Sequence, residues 1–181
     1  MRQESRVGIV EAITAEGKAE IDSLGERSWQ TVEPLTNYLI SRVMKDFNGG
    51  KTVIGGAFTN THRFLDNTGI DGLVRNANTA GIDFTQYLDK DREWFVSATV
   101  AGSNLTGSKE AIENLQRSSV HYFQRPDADY VEVDPDRTSL NGFGGNIQAG
   151  KAGGHWNFMT FMYMKSPGLN LNDVGYLQSA D

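Results

Sequence analysis

Five carboxylates crowd one short stretch of the chain: Asp127, Asp129, Glu132, Asp134 and Asp136. A hard cation such as Ca2+ takes carboxylate oxygens as ligands. Two Asp-x-Asp spacings make Asp127, Asp129, Asp134 and Asp136 the candidate metal ligands, with Ca2+ as the ion. The ordered ligand positions of an EF-hand loop are missing. The competing reading is a solvated loop in which Arg125 and Arg137 offset part of the charge. Paired carboxylates also hydrolyse glycosides, but only at a fixed separation that nothing in this spacing sets. His62, His121 and His155 are far apart and lack a metal spacing such as His-Glu-x-x-His. Neither a Gly-x-Ser-x-Gly elbow nor a Walker-type loop occurs. No catalytic and no cofactor-binding residue is assigned.

The acidic stretch belongs to a long polar loop over residues 105–137, and a second such loop spans 63–76. Within the first, Ser108 is a helix cap, Glu110 sits in the first turn, and Ala111, Ile112 and Leu115 form the apolar side of a short helix ending at Arg117. The remaining connections are very tight: Asn48-Gly49-Gly50-Lys51, Asp89-Lys90-Asp91-Arg92 and Gly150-Lys151-Ala152-Gly153-Gly154. Long loops at one end and short turns at the other are the layout of a transmembrane β-barrel.

The segments between these connections alternate with a period of two, the signature of strands. Over 77–88, Ala80, Ile82, Phe84 and Leu88 share one face, while Thr79, Gly81, Asp83, Thr85 and Tyr87 share the other. Over 93–104, Trp94, Val96, Ala98 and Val100 alternate with Phe95, Ser97, Thr99 and Ala101. A pair at 138–149 and 155–165 sets Phe143 and Ile147 against Asn146 and Gln148, and its last strand is apolar on both faces near the middle. In a noisier pair at 35–47 and 52–62, Leu39 and Val43 oppose Arg42 and Asp46, with an Asn-Gly turn between the strands. A first hairpin is expected over 6–14 and 17–23, turning at Ala15-Glu16-Gly17. The fold class is therefore all-β: an antiparallel meander of about eight long strands, each near the ~9–11 residues a tilted strand needs to cross a bilayer. Arg42, Asp46, Asp83 and Asn146 are the candidate lumen-facing residues. Trp94 and Trp156 each follow a short turn, which makes them membrane-interface candidates in an aromatic girdle.

Composition narrows the classes further. The 23 acidic and 17 basic side chains leave a formal charge of −6, which disfavours a nucleic-acid partner. With no cysteine, neither a disulfide framework nor a cysteine-ligated zinc site can form. No run of about 18 apolar residues exists, so no transmembrane helix is expected. The negative mean hydropathy of −0.45 is compatible with a barrel, where only alternate residues meet lipid. The start, Met1-Arg2-Gln3-Glu4-Ser5-Arg6, has no apolar stretch of a signal peptide behind it. The chain is accordingly expected to be a fragment of a longer protein.

Several runs carry a family resemblance: Val32-Glu33-Pro34-Leu35-Thr36-Asn37-Tyr38, Arg42-Val43-Met44-Lys45-Asp46-Phe47-Asn48, Gly107-Ser108-Lys109-Glu110-Ala111-Ile112, His121-Tyr122-Phe123-Gln124-Arg125-Pro126-Asp127-Ala128-Asp129, and Ser166-Pro167-Gly168 with Asn172-Asp173-Val174-Gly175-Tyr176-Leu177. The chain resembles the membrane β-barrel domain, of unknown function, of large bacterial proteins that also carry an N-terminal carbohydrate-binding module of the family-nine type. The resemblance implies that residues 1–181 are part of one outer-membrane barrel domain, with the signal peptide and the module absent. It further implies a Gram-negative outer membrane, the lipid bilayer as partner, and carbohydrate as a partner only through the missing module. The role implied is a channel, receptor or membrane anchor for glycan handling, with any hydrolase activity supplied elsewhere in the parent. The alternative is a soluble β-sandwich that binds carbohydrate through Trp29, Trp94 and Trp156.

Overall fold

A computed structural model describes residues 4–180; Met1, Arg2, Gln3 and Asp181 lie outside it. The elements are β1 (Ser5–Thr14), β2 (Gly17–Ser23), β3 (Glu26–Glu33), β4 (Thr36–Phe47), β5 (Thr52–Arg63), β6 (Val74–Tyr87), β7 (Trp94–Gly107), α1 (Lys109–Arg117), β8 (Ser139–Lys151) and β9 (Phe158–Lys165). Seven strands form one antiparallel sheet in the order β1-β4-β5-β6-β7-β8-β9, while β2 and β3 pair separately. The expected all-β antiparallel meander is present. The sheet is open: β1 and β9 form its two edges.

The first hairpin is a correction. Residues 6–14 do not pair with 17–23. β1 pairs with β4, from Ser5 opposite Lys45 to Thr14 opposite Thr36, and β2 turns at Leu24-Gly25 to pair with β3. Leu24 (φ 56°) and Gly25 (φ 89°) take the left-handed conformations that a two-residue hairpin turn demands, and the Gly25 N–H donates to Asp22 Oδ1 at 2.9 Å. Gly17 has no positive φ, so the chain stays extended where a turn was expected. The two ladders form one long hairpin interrupted at Pro34, which has no N–H to give. The described strands therefore number nine.

The remaining hairpins follow the sequence reading. Asn48, Gly49 and Gly50 all have positive φ, and the Gly50 N–H donates to the Phe47 carbonyl at 3.0 Å. At the next turn the Asp89 carboxylate accepts from Trp94 N at 3.0 Å and Glu93 N at 3.3 Å. These backbone N–H groups, Trp94's foremost, hold the Asp89 carboxyl below its ordinary pKa.

The buried core lies at the long-loop end and on one face only. Ser108 caps α1, accepting from Ala111 N at 3.0 Å. Ile112 packs with Phe123 and Leu140, and Leu115 packs against Val74, Ala77 and Leu105. Beyond β9 the chain folds back over the sheet and buries Leu169, Leu177 and Ala180 beside Val120 and Leu171. The Gly142 backbone is what admits this segment: a Cβ there would lie 2.0 Å from Leu169 N. Gly142→Ala should therefore displace residues 166–180, at a cost of about 1–3 kcal/mol. Limited proteolysis checks this, the expected outcome being faster cleavage after Lys165 with the sheet intact.

Candidate functional site

Pairing register sorts the side chains of seven strands into two faces of opposite character. On one face, three successive rows run across the sheet: Ile9-Ser41-Phe58-Ala80-Gly102-Phe143, Val7-Val43-Gly56-Ile82-Val100-Gly145-Met164, and Ser5-Lys45-Ile54-Phe84-Ala98-Ile147-Met162. Lys45 is the one charge in these rows, and its ammonium lies 5.1 Å from the Phe47 ring centroid, one step toward the turn end. Among the described residues nothing covers this face. Val7, Ile9, Val43, Ile54, Ile82, Val100, Phe143, Ile147, Met162 and Met164 are all exposed.

Polar rows bound the apolar band and satisfy themselves. On the loop side Asn60, Asn78, Asn104 and Asn141 stand in one register. Asn60 donates to Asn78 at 2.7 Å and Asn104 to Asn141 at 2.6 Å. One row further, His62 bonds to Asn76, which donates to Thr106 at 3.3 Å. On the turn side Thr52 donates to Gln86 at 2.7 Å. From Thr52 to Asn60 is eight residue steps, about 27 Å along the strand.

The opposite face is mostly small and polar on β5 to β8, with apolar Val10, Ile40, Met44 and Val53 toward the β1 edge and the Phe161 and Tyr163 rings at the β9 edge. Arg42 and Asp83 form an ion pair that passes directly over Gly55; a Cβ on Gly55 would lie 2.5 Å from Arg42 Nη2 and 2.7 Å from Asp83 Oδ2. Asp46 shares this face and accepts from Glu4 N at 3.1 Å. Asn146 shares it too, opposite Thr99 and Tyr163. All four residues expected to face one side therefore do so, but only Arg42 and Asp83 meet. Thr59, Thr79, Thr85, Ser97, Thr99, Asn146 and Gln148 donate no side-chain hydrogen bond among the described residues, unlike the amides of the other face. Gly55 and the asparagine row escaped the sequence reading. Their signal is a match between strands, visible only once register is known.

The tryptophans divide. Trp94 opens β7 on the apolar face, across Lys151 from Phe158, with its ring 5.4 Å from that ring in edge contact. Trp156 lies in the turn before β9 and is 83% exposed. Both sit at the turn end, whereas Trp29 is on β3 at the opposite end. The three do not form one platform.

The acidic loop disperses its charge. Asp136 pairs with Lys109 at 2.7 Å, Asp134 with Arg137 at 3.3 Å, and Arg125 Nε lies 3.8 Å from Asp127. Asp129 is exposed. Among the described residues no three metal-ligating side chains converge.

The polar face is covered at its loop end by the segment after β9, and His121 holds that segment. The His121 Nδ1–H donates to the Pro167 carbonyl at 2.8 Å, so Nε2 accepts from Asn170 Nδ2 at 3.2 Å. Asn170 N donates to Ser103 Oγ on β7 at 2.9 Å, and Asp173 pairs with Arg63 on β5 at 2.6 Å. The segment thus reaches from the β9 edge across the polar face of β8 and β7 to β5.

The family model described as a domain of unknown function, DUF5916, matches residues 2–181. The chain belongs to this family. No curated protein and no solved structure matches it. The sheet, the loop-end core and the segment after β9 all lie within the DUF5916 match.

Burial pushes the His121 imidazole below its ordinary pKa, against a smaller opposite effect of the Pro167 carbonyl. The neutral ring is therefore favoured in the folded state. Stability is full above the unfolded value of about 6.5 and falls with pH below it, where only the unfolded chain readily binds the proton. Hydrogen exchange of residues 167–172, corrected for intrinsic rate, should show protection declining as pH falls below about 6.5. His121→Gln should flatten that decline.

Proposed function

We propose that this chain is a wall segment of a β-barrel in the outer membrane of a Gram-negative bacterium. Its apolar face meets the lipid bilayer and its polar face lines a water-filled lumen. The observation that carries this reading is the uncovered apolar band. Each large apolar side chain left in water forgoes about 1.5–3 kcal/mol. Ten such residues across the band, each 48–71% exposed, together forgo an amount comparable to the ~5–15 kcal/mol net stability of a typical domain. Lipid removes that cost.

The band's dimensions and borders support the same reading. Strands tilted by ~35–45° reduce about 27 Å of strand to roughly 20 Å along the membrane normal, close to the ~25 Å apolar height of outer-membrane barrels. Amides at the loop-side border bond to one another, as polar groups facing a poorly hydrated boundary must. Trp94 and Phe158 sit at the turn-side border, where amphipathic and aromatic rings gather. Lys45 reaches from the band toward that same border.

Seven strands cannot complete such a wall. In an antiparallel sheet of seven, β1 and β9 run in the same direction, so closure with antiparallel pairing requires an odd number of further strands. Unpaired edges find no water in lipid. The rest of the barrel belongs to a longer parent protein, which fits the family resemblance read in the sequence. The parent's role is that of a channel, receptor or anchor for a glycan-handling protein, with carbohydrate bound through its separate module.

The natural absence of cysteine permits a direct test. Single substitutions Val43→Cys, Ile82→Cys, Val100→Cys, Arg42→Cys, Asp83→Cys and Thr99→Cys would be made in the parent protein and probed in isolated membranes with a charged, water-soluble maleimide. Slow labelling of the first three and fast labelling of the last three is expected. Equal, fast labelling of all six would overturn the membrane reading.

Outside a membrane the exposed band and both edges remain, and β9 is apolar on each face. The isolated chain should therefore aggregate in buffer and disperse in detergent. Analytical ultracentrifugation distinguishes the two.

A further inference from the structure

On the polar face, β9 presents two exposed aromatic rings in file. Phe161 and Tyr163 are 64% and 66% exposed. Their ring centroids are 6.3 Å apart and their planes differ by 19°. Each heads a row of hydrogen-bonding side chains across the sheet: Phe161 faces Gln148, Ser97 and Thr85, while Tyr163 faces Asn146, Thr99 and Asp83.

Three features decide what such a surface can hold. First, the rings are not core residues: the buried clusters lie at the loop end and include neither. Nor do they face the apolar band, since they alternate with Met162 and Met164, which do. A strand added at the β9 edge would flank them without covering them, because strand side chains stand roughly perpendicular to the sheet. Second, the amides of Asn146 and Gln148 and the hydroxyls of Ser97 and Thr99 have no side-chain partner among the described residues. An amide offers both donors and an acceptor. Third, the patch carries little unneutralised charge. Arg42 occupies Asp83, and Lys165 donates to the Ser179 carbonyl at 2.6 Å while its ammonium lies 6.0 Å from the Tyr163 ring centroid.

We infer that Phe161 and Tyr163, with Asn146, Gln148, Ser97 and Thr99, form a binding track for a neutral oligosaccharide. This rests on the barrel reading for placing the track in a lumen. A pyranose offers an apolar C–H face to an aromatic ring and a rim of hydroxyls that both donate and accept. The flat ring pair meets the first requirement and the free amides and hydroxyls the second. A nucleic-acid strand would also stack, but its successive phosphates need several cations, and among the described residues Lys165 alone lies beside the rings. The tryptophans lack these neighbours: Trp94 stands on the apolar face with Val96 and Ala98 next along it.

The test is isothermal titration of the parent protein in detergent with cellohexaose, maltohexaose, xylohexaose and chitohexaose. At least one hexaose should bind saturably in a step additional to any at the parent's separate module, and it is this step that the variants read. Phe161→Ala combined with Tyr163→Ala should weaken that binding at least about tenfold. Asn146→Ala combined with Gln148→Ala, which leaves the rings in place, should weaken it about three- to tenfold. Trp156→Ala should leave it unchanged. No saturable heat from any hexaose up to about 10 mM, or binding indifferent to both double substitutions, would overturn the track. Binding lost only in the Trp156 variant would overturn it as well. The maleimide pattern, measured on the same preparation, separates the two readings. Alternating labelling without saccharide binding removes the track and keeps the barrel. Saccharide binding that depends on the rings, without alternation, keeps the track and removes the membrane.

Discussion

In a strand, successive side chains point to opposite faces, and seven strands, paired in continuous register except at Val74–Asn76 on the loop end of β6, carry that alternation across the sheet. Every other feature depends on this register. It sets Ile82 between Gly56 and Val100, and Asp83 between Gly55 and Thr99. A one-residue slip in any strand would carry its apolar residues to the polar face and its charges to the band. The tight turns guard against this. Asn48, Gly49 and Gly50 adopt positive φ, and Asp89 ties down the two N–H groups at the start of β7. Both turns fix strand ends at the border nearest Trp94.

The second constraint is that polar groups must be satisfied wherever water is scarce. The two faces meet it differently. On the apolar face the amides pair along a row, Asn60 with Asn78 and Asn104 with Asn141. On the polar face Asn146 and Gln148 stay unpaired, which is cheap only if water or a ligand supplies their bonds. This difference in pairing points the same way as the difference in hydrophobicity, although the two rest on separate observations. The loop end adds a compact core on the polar side, where Ile112, Leu140 and Leu169 are buried. The buried hydrophobic packing among the described residues is thus confined to the loop end.

Much of this was legible without a structure because it is local or periodic. Three hairpins, the capped helix at Ser108 and the sides taken by Arg42, Asp46, Asp83 and Asn146 follow from alternation and turn residues alone. The error at Ala15-Glu16-Gly17 came from reading a glycine as a turn. Gly17 is extended, and the real turn at Leu24-Gly25 places a leucine in a conformation its side chain disfavours. β3 was passed over for the same reason. The asparagine row, the Gly55 gap beneath the Arg42–Asp83 pair and the His121 tie to Pro167 and Asn170 join residues far apart in sequence. No local pattern signals such partners. In the acidic loop at 127–136, Arg125 and Arg137 stand beside carboxylates as the solvated-loop reading has them, whereas the Lys109–Asp136 pair joins residues too far apart for any local pattern to signal.

The segment after β9 bears on what the polar face can do. It crosses β8 at Gly142, meets β7 at Ser103 and reaches β5 at Arg63, so it closes the loop end of that face over several strands. Its attachments are the backbone approach at Gly142, the His121 and Ser103 bonds, the Arg63–Asp173 ion pair and the apolar cluster of Leu169, Leu177 and Ala180 with Val120 and Leu171. None of these contributes a hydrogen bond to strand pairing, so the segment can detach while the β-ladder remains whole. Access to the polar face from the loop end is therefore a property of residues 166–180, and is separable from the integrity of the wall beneath them.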